Sequence, residues 1–494
     1  MGRKDWLITT YMILMLQVTW GQDRRWLGGY ASDLAPPYGG NKTLFPDGVQ
    51  TFSIAEDRPM WLSLTEAVTT NAQDSVIAYT NGVYIANIAG DTMLNGVGLN
   101  PSFYTTIQYN DGLRVPGSHI FLPYPDSDSL IVLFHQTIDA MSASGDLVPS
   151  YFYMSVIDMS LDGGKGGVTQ KNMILSSGLT RYGVSAVRHG NGRDWWVAFH
   201  EDGTDVFIQF LLTTTGAEGP FFQVAGVVRS MGISASAFSQ DGSAFAFMDA
   251  YADLDVFDFD RCSGVLSNWR HVDINDGETA GFPAFSPNGR FLYVTSIEHL
   301  YQYDLDAPDL TTSQVVVAEW DSTYDPFPLA TYFFQPMLAA DGKIYISNGN
   351  GTRYMHIIDQ PDSLGLACNV IQNGHYRQTY TTSSIPNLPN FHLGPLTGSP
   401  CDTLGLGIPG HPPPLHISAF PNPNTGNFTL TYPAQSAVGQ LEIRDLSGRI
   451  VFQERIPQWS TVHGVDLRWG AAGIYQCTLR WGQRSANVRI IIQP

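Results

Sequence analysis

Five aspartates lie close together near the middle of the chain, in the stretch DAYADLDVFDFD. They are Asp249, Asp253, Asp255, Asp258 and Asp260. Calcium prefers several oxygen ligands from one short segment, and paired carboxylates carry out glycoside hydrolysis. The apolar residues among them, however, alternate as they do in a β-strand that ends in a turn. We therefore expect an ordinary strand here, and the two kinds of carboxylate chemistry are the alternatives.

Two other segments have only part of the pattern of a binding loop. Asp273–Gly277 has the composition of a calcium loop, but its glycine comes one place too early. Asp162–Gly167 contains glycines and a lysine, but it lacks the GK[ST] ending and the following helix of a phosphate-binding loop. The sequence also lacks GxSxG, HExxH and the cysteine–histidine spacing of zinc sites. We therefore predict no catalytic residue, no cofactor and no metal ligand.

Aromatic side chains offer a second kind of binding chemistry, because their flat faces can stack on sugar rings. The candidates are Trp195, Trp196, Trp269, Trp320 and Tyr332–Phe334. Large apolar side chains more often fill the core of a β-protein. A core position is therefore the simpler interpretation, and a sugar-binding platform is the alternative.

A repeated hairpin must position these side chains. Ala284–Val294, AFSPNGRFLYV, combines a short apolar strand, a Pro-Asn-Gly turn and a second strand rich in aromatic and β-branched residues. Similar hairpins surround it, and their turn glycines are 50, 47 and 53 residues apart. These glycines are Gly192, Gly242, Gly289 and Gly342. A period of this size without a helical pattern is typical of propeller blades.

Two further hairpins turn at Asp74 and Asp128, which gives six units. Residues Met141–Ser150 account for the longer interval before the third unit. The segment Trp26–Asp57 either completes a seventh blade or supplies the strand that closes the ring, because an open ring would leave unpaired strand edges. We predict an all-β protein, with a β-propeller of six or seven blades over residues 22–403 and a small C-terminal β-sandwich.

The charge and the first residues indicate where the protein works. The 494 residues carry a formal net charge of −19. Nucleic acids and anionic lipids bind basic surfaces, so we exclude both as partners, although solubility alone also explains the charge. Met1–Gly21 has Arg3 and Lys4 before an apolar run, which predicts a secretory signal peptide. No later segment is apolar enough to cross a bilayer, so we expect export through the periplasm without a transmembrane segment.

The composition changes after Leu404–Pro414, LGLGIPGHPPP, a segment whose glycines and prolines predict a linker. Residues 415–494 contain seven arginines, no lysine and four acidic residues, which gives a net charge of +3. Apolar residues alternate with polar ones on both sides of Ser447–Gly448 and again in later segments. This pattern predicts the C-terminal β-sandwich.

This C-terminal segment resembles a known module. Its PNPNTG opening at residues 421–426, the stretch LEIRDLSGRIVFQE and the terminal GIYQCTLRWGQRSANVRIII are similar to the C-terminal sorting domain of type IX secretion. The resemblance implies the secretion machinery as a partner, passage across the outer membrane, removal of the domain, and release or attachment to surface lipopolysaccharide. It also assigns a sorting motif of Pro421, Asn422, Pro423, Gly426, Gly448, Gly473 and Tyr475.

The preceding region, from Trp26 to Thr403, is similar to secreted propeller-like proteins of Bacteroidota. The similar segments include WLGGYASDL, YTNGVYIANIAGDTMLNGVGL, FDFDRCSGVLSN and LGLACNVIQNG. That group has no assigned activity, so the resemblance implies a fold and export but no reaction.

Export permits disulfide bonds. The four cysteines, Cys262, Cys368, Cys401 and Cys477, allow three complete pairings. Cys368 and Cys401 both lie late in the repeat region, so we expect them to pair. Buried free thiols are the alternative.

From these observations we expect an exported or surface-located β-propeller that acts as a non-catalytic binding protein through loops on the faces of the ring. The first alternative is a secreted polysaccharide hydrolase or lyase with carboxylates and aromatic residues in the central channel. The second is a structural surface protein whose faces carry neither a pocket nor an aromatic platform. The side chains that line the channel and its two mouths distinguish the three.

Overall fold

The structure is a computed structural model of the chain. It describes residues 24–402 and 417–493, except residues 32, 35–36, 231, 250, 382, 433–434, 436–437, 459, 461 and 483. The expected signal peptide, residues 1–21, and the expected linker, residues 404–414, lie outside the described residues.

Twenty-seven strands build seven radial blades. Blade 7 contains β1 (Arg25–Gly29), β2 (Gly40–Leu44) and β3 (Phe52–Glu56). Blade 1 contains β4 (Ala67–Thr70), β5 (Val76–Thr80), β6 (Tyr84–Asn87) and β7 (Thr92–Val97). Blade 2 contains β8 (His119–Pro123), β9 (Leu130–His135), β12 (Tyr151–Asp158) and β13 (Gly167–Ser177), and the small hairpin of β10 (Ala140–Met141) and β11 (Leu147–Val148) is inserted between β9 and β12.

The remaining blades follow in chain order. Blade 3 contains β14 (Ser185–Arg188), β15 (Trp195–His200), β16 (Thr204–Thr213) and β17 (Gly216–Arg229). Blade 4 contains β18 (Ser234–Phe238), β19 (Ala244–Asp249), β20 (Asp253–Phe259) and β21 (Leu266–Val272). Blade 5 contains β22 (Phe282–Phe285), β23 (Phe291–Ser296), β24 (His299–Asp304) and β25 (Val315–Glu319). Blade 6 contains β26 (Phe333–Leu338), β27 (Ile344–Asn348), β28 (Tyr354–Ile358) and β29 (Val370–Tyr376).

Helical structure is confined to short turns within the described part of the chain. It consists of α1 (Phe103–Ile107) and of 3-10 turns at Asp162–Gly164, Thr311–Ser313 and Gly365–Cys368. Among the described residues, no helix has the length and apolar character needed to cross a membrane.

The repeated hairpin of the sequence forms the first two strands of blades 1 to 6. The four turn glycines have φ values between 72° and 79°, in the left-handed region that side chains of L residues disfavour. In blades 1 to 6 the chain runs from the innermost to the outermost strand, and neighbouring strands are antiparallel. The prediction of a β-propeller is therefore confirmed, and its hairpins turn where the sequence places them.

Blade 7 closes the ring with the first strands of the chain. Its inner strand meets the loop before blade 1 through a bridge between Gly29 and Leu62. On its other side, Ser53 Oγ lies 2.7 Å from His375 Nε2 in blade 6, and the two hydrogen-bond partners are buried. The segment Trp26–Asp57 thus forms the seventh blade, one of the two roles that the sequence left open.

After blade 6 the chain crosses the central channel as an extended segment, residues 383–391, which we call the channel segment. Gln335 Nε2 of blade 6 donates a hydrogen bond of 3.0 Å to the carbonyl oxygen of Ser383. Asn387 Nδ2 lies 2.8 to 3.3 Å from three backbone carbonyl oxygens at blades 2 and 3. Leu388 packs against three separate hydrophobic cores. The segment therefore connects blades on opposite sides of the ring.

The C-terminal residues form a separate β-sandwich, as predicted. One sheet contains β30 (Ser418–Phe420), β31 (Asn427–Thr431) and β34 (Val462–Asp466). The other contains β32 (Gly439–Arg444), β33 (Ile450–Ile456), β35 (Gly473–Trp481) and β36 (Arg484–Ile492). The two sheets enclose one hydrophobic core that includes Phe428, Leu441, Tyr475 and Ile490, so this unit has a core of its own.

The disulfide bond joins Cys262 to Cys401, and the predicted pairing of Cys368 with Cys401 is wrong. Cys368 is a buried free thiol in the core between blades 5 and 6. Cys401 is the next cysteine after Cys368 in the sequence, but the two do not meet in the structure, because the channel segment carries the chain away from blade 6. Leu396 N then donates to Gly190 O of blade 3 at 2.8 Å, which brings Cys401 beside the last turn of blade 4.

We expect the Cys401→Ser variant to have a lower free energy of unfolding than the wild type. The bond spans 139 residues of chain, and closing a loop of that order stabilises the folded state by up to about 5 kcal/mol on the chain-entropy estimate. Urea unfolding under oxidising conditions measures the loss, and the same measurement after reduction is the control because it should abolish the difference. A non-reduced peptide map that joins Cys368 to another cysteine would contradict this assignment.

Candidate functional site

The central channel offers no catalytic pair. Two small cavities of about 100 and 50 Å³ remain along the channel segment. Their walls are inner-strand residues such as Ser185, Ser236 and Pro283, and no Asp or Glu occurs among the described residues that line them. Glycoside hydrolysis by the usual mechanism needs two carboxylates on opposite sides of the bond. Among the described residues that line these two cavities, no such pair of carboxylates occurs.

The aspartate cluster of blade 4 is part of an ion-pair network. Arg229 is fully buried, and its guanidinium forms ion pairs with Asp249 Oδ2 and Asp255 Oδ2, each at 2.8 Å. Asp255 also lies 2.8 Å from His271 Nδ1 and accepts a hydrogen bond from Trp269 Nε1 at 2.7 Å. Burial opposes the charge of Asp255, but its donors dominate and hold its pKa below the ordinary value. These carboxylates are therefore already neutralised by protein groups.

The other members of the cluster have local structural contacts. Asp258 pairs with Arg270 at 3.1 Å, and Asp260 accepts the backbone N–H of Cys262 at 2.8 Å in the last turn of the blade. In the loop that resembles a calcium site, Asp276 Oδ2 accepts the hydroxyl of Ser296 at 2.6 Å. No group of three metal-binding side chains occurs in the part of the chain that the structure describes. The interpretation of the cluster as an ordinary strand with its turn fits these contacts.

The predicted aromatic candidates separate into two classes. Trp195 and Trp196 are buried in the cores of blade 3, and Phe333 and Phe334 are buried as well. Trp269 is 49% exposed on the outer strand of blade 4. Trp320 and Tyr332, however, lie in one loop above the ring, where their ring centroids are 4.5 Å apart. Most candidates are therefore core residues, and this pair is part of a larger cluster.

An aromatic belt covers the face of the ring that carries the loops leading into the inner strands. Its residues are Tyr30, Tyr38, Trp61, Trp320, Tyr324, Phe327, Tyr332, Tyr354, Tyr376 and Tyr380. At one end, Trp320, Tyr324 and Phe327 follow one another with centroid distances of 5.5 and 5.3 Å. At the other end, Tyr38 lies 5.2 Å from Tyr30 and 5.4 Å from Tyr380. Phe327 is 79% exposed, which leaves its ring free for a ligand.

Arg353 joins the two ends of the belt. Its guanidinium carbon lies 5.0 Å from the ring centroid of Tyr380 and 5.8 Å from that of Tyr376. The same group makes two hydrogen bonds to Asp325, of 2.5 and 3.1 Å, and Asp325 stands between two belt residues in sequence. Burial raises the pKa of Asp325, but the bonds from Arg353 outweigh it and the net shift is downward. An ion pair thus connects the loop between blades 5 and 6 to the rings at the end of blade 6.

A buried acid lies beside the loops that carry the belt. Glu66 precedes the inner strand of blade 1 and is 3% exposed. Burial raises its pKa to about 8, although Arg58 and Arg377 oppose this shift. Burial also lowers the pKa of Arg377, which directly follows Tyr376, to about 9. The support of the belt therefore contains ionisable groups that are buried away from water.

Sequence reasoning missed eight of the ten belt residues. It considered tryptophan pairs and aromatic runs, whereas the belt collects single residues from loops that are far apart in the sequence. The position of a loop between the last strand of one blade and the first of the next was the available signal. Tyr324 and Phe327, for example, both lie between the fifth and sixth hairpin units.

The structure brings most of the predicted sorting motif to the last strand of the sandwich. Asn422 accepts the N–H of Ile491 at 2.8 Å and donates to the carbonyl oxygen of Arg489 at 2.7 Å. Gly473 of β35 is paired with Ile492 of β36, the last strand. Pro421 and Pro423 flank Asn422 in the same segment, and Tyr475 donates its hydroxyl to Ala471 O at 2.6 Å.

Two glycines of the predicted sorting motif have positive φ values, which residues with a side chain rarely adopt. Gly426 has a φ of +95°, and a Cβ atom there would lie 2.8 Å from the backbone of Arg468. Gly448 has a φ of +86° in the turn between β32 and β33, away from the PNPNTG segment. The roles of these residues in sorting stay a prediction.

Residues 418–493 match the family of secretion system C-terminal sorting domains. The resemblance of this segment to a type IX sorting domain is thereby confirmed. The protein is accordingly secreted or located at the cell surface. Among curated proteins, none matches the chain.

Several solved structures are distantly similar. A proposed 6-phosphogluconolactonase from Bacteroides fragilis has a TM-score of 0.44 and 12% identity, over 73% of this chain and 96% of that chain. One from Bacteroides uniformis has a TM-score of 0.38 and 13% identity, over 68% and 92%. PorZ, a surface component of the type-IX secretion system of Porphyromonas gingivalis, has a TM-score of 0.31 and 11% identity, over 92% and 68%. At these scores the similarity carries no conclusion about activity.

Glu66 should make the protein less stable as the pH rises from 6.5 to 8. The folded protein holds its proton up to about pH 8, whereas the unfolded chain loses it near pH 4.5, so stability falls through this window. Over the last 1.5 pH units the loss is about 2 kcal/mol. Urea unfolding at both pH values should show that the stability change of the wild type is about 2 kcal/mol less favourable than that of the Glu66→Gln variant.

Buried histidines do not obscure this effect. Burial lowers the pKa values of His119, His135, His200, His356 and His375, so each still adds a little stability above pH 6.5 as the unfolded chain loses its remaining histidine protons. The hydrogen bond with Asp255 raises the pKa of His271, so its contribution is lost as the pH rises. The wild type and the Glu66→Gln variant share both contributions, which therefore cancel when the two are compared. Glu319→Gln, at an exposed acid, is the matched control and should keep the wild-type slope. An equal slope in Glu66→Gln and the wild type would contradict the assignment.

Proposed function

We propose that this protein is a non-catalytic binding protein that holds a glycan chain across the aromatic belt. The belt itself is the observation that carries the proposal. Sugar rings present flat apolar faces, and half-exposed aromatic rings bind them by stacking while their polar edges stay in water. Because the belt spans loops of several blades, it suits a chain of sugar units better than a single sugar.

The charges around the belt favour a neutral glycan. The guanidinium of Arg353, which lies between the two ends of the belt, is already paired with Asp325. Near Trp320 and Tyr332 the nearest ionisable groups include Glu278 and Glu298, which are acidic. A glycan with carboxylate or sulfate groups would meet repulsion there, in a protein whose net charge is −19.

A polysaccharide hydrolase or lyase is the second candidate function, and Glu278 is the observation that favours it. Burial raises the pKa of Glu278, and the charges of Glu298 and Asp276 raise it further. A raised pKa suits a general acid. Release of reducing ends from a bound polysaccharide, and its loss in Glu278→Gln, would support this function over binding alone.

The C-terminal sandwich supports the export part of the proposal. We infer that the type IX secretion machinery recognises the surface formed by the PNPNTG segment and β36. Asn422 joins the two with two hydrogen bonds, so the surface exists only when the sandwich is folded. The finer outcome, release or attachment to lipopolysaccharide, is part of the same proposal.

The Phe327→Ala variant should bind its neutral polysaccharide about fivefold more weakly. Loss of one ring from a stacking surface costs about 1 kcal/mol, and the exposed position of Phe327 makes a folding effect small. Affinity electrophoresis against a panel of neutral and acidic polysaccharides first identifies the ligand and then compares the variants.

The matched control for this experiment is Phe222→Ala. Phe222 is 61% exposed but lies on the outer strand of blade 3, outside the belt. It should bind as the wild type does. If the two variants bind a polysaccharide equally well, or if no polysaccharide of the panel retards the wild type, the glycan proposal is wrong.

Residues 415–494 should carry an unrelated periplasmic reporter to the medium or the cell surface of a host with type IX secretion. In the same fusion, Asn422→Ala should reduce export, because it removes both hydrogen bonds to β36. Asn427→Ala, at an exposed asparagine of β31, should export normally. A reporter that stays in the periplasm, while a known sorting domain exports it in the same cells, would count against the assignment.

A further inference from the structure

The outer strands of blades 2 and 3 each lose their regular pairing with the neighbouring strand at one or more positions. In β13, the partner of Phe152 is Ser176 and that of Tyr153 is Ile174, so Leu175 is an extra residue. In β17, Gly219 and Pro220 lie outside the pairing with β16. Such β-bulges bend a strand away from its neighbour and redirect its side chains.

A cavity of about 220 Å³ lies between the two blades, and Leu175 of the irregular segment of β13 is one of its lining residues. Its apolar walls are Leu130, Met154, Val156, Met173, Ile174, Leu175 and Ala217. Leu130, Met173 and Leu175 pack against the core of blades 2 and 3 while remaining partly exposed. This volume corresponds to roughly seven methylene groups, at about 30 Å³ for a group of the size of water. An apolar cavity of this kind binds small apolar molecules.

One hydroxyl group of the cavity wall can hydrogen-bond to a bound molecule and so orient it. Tyr124 lines the cavity, and its hydroxyl oxygen lies 4.0 Å from the position that a Cβ atom would occupy at Gly216. Burial raises the pKa of Tyr124, so the hydroxyl stays protonated and can donate. The other polar lining residues, Thr169, Gln170 and Thr215, are neutral too, and no Lys, Arg, Asp or Glu is among the described lining residues.

We propose that this cavity binds an unbranched aliphatic molecule of about seven or eight carbons whose single uncharged end group hydrogen-bonds to Tyr124. The flexible walls, with two methionines, suit an alkyl chain, because methionine side chains adapt to irregular shapes. A charged end group would lose its hydration without gaining an ion pair, so it would bind more weakly. The site lies between blades 2 and 3, and it does not depend on the aromatic belt.

The experiment uses 1-octanol and the mature full-length protein labelled with ¹³C at the methionine methyl groups. The methyl signals of Met154 and Met173 should shift and saturate during a titration, while that of Met355, in the core of blade 6, should not. Octanoate at pH 8, which carries the same chain with a charged end group, should bind at least tenfold more weakly.

Two variants test the site. Ala217→Leu places a larger side chain in the cavity and should weaken 1-octanol binding at least tenfold, whereas Ala55→Leu, at an exposed alanine of an outer strand, should bind normally. Tyr124→Phe should weaken 1-octanol about fivefold and leave the shifts caused by xenon unchanged. The proposal is overturned if the wild-type signals do not move up to the solubility limit of 1-octanol, or if Ala217→Leu responds as the wild type does.

Discussion

Every blade of this ring depends on the pairing of strand edges at a single junction. Six units pass from inner to outer strand and then to the next blade, but the first and last units have no neighbour unless the ends of the chain meet. The first strands form a blade of three strands, and the channel segment runs along the inner side of the ring. Asn387 and Leu388 then connect distant blades through polar and apolar contacts, respectively. Closure of the ring therefore depends on contacts between residues more than 300 positions apart in the sequence, such as Ser53 and His375.

The fold was largely predictable because it is built from local patterns. A hairpin with a glycine that adopts a positive φ is specified by a few neighbouring residues, and repetition at nearly constant spacing implies a ring. The C-terminal sandwich was predictable for the same reason, since alternation with period two marks its strands. The path of the channel segment was not predictable, because Pro386 and Pro389 interrupt any strand pattern and the segment is held by side-chain contacts. The wrong disulfide followed directly from that gap, since Cys401 was placed beside the blade that precedes it in sequence.

The candidate site was less predictable than the fold. The residue types that attract attention in the sequence, such as the aspartates of blade 4, are used for a buried network around Arg229. Conversely, the belt residues are scattered and individually unremarkable, and only the ring places Tyr38 beside Tyr380. Aromatic residues also serve the core, so their number says little about exposure. A surface assembled from several loops requires the three-dimensional path of the chain before it can be recognised.

The disulfide between Cys262 and Cys401 also determines how the protein responds to mechanical force. Shear on a molecule held at a cell surface through its C-terminal part pulls on the residues after Asp402. Without the bond, that tension would act along the chain into the channel segment and peel it out of the ring one contact at a time. With the bond, the load enters blade 4 at Cys262, where it must displace a whole sheet at once. The crosslink thus moves the point of loading from the channel segment, which helps to keep the ring closed, to blade 4.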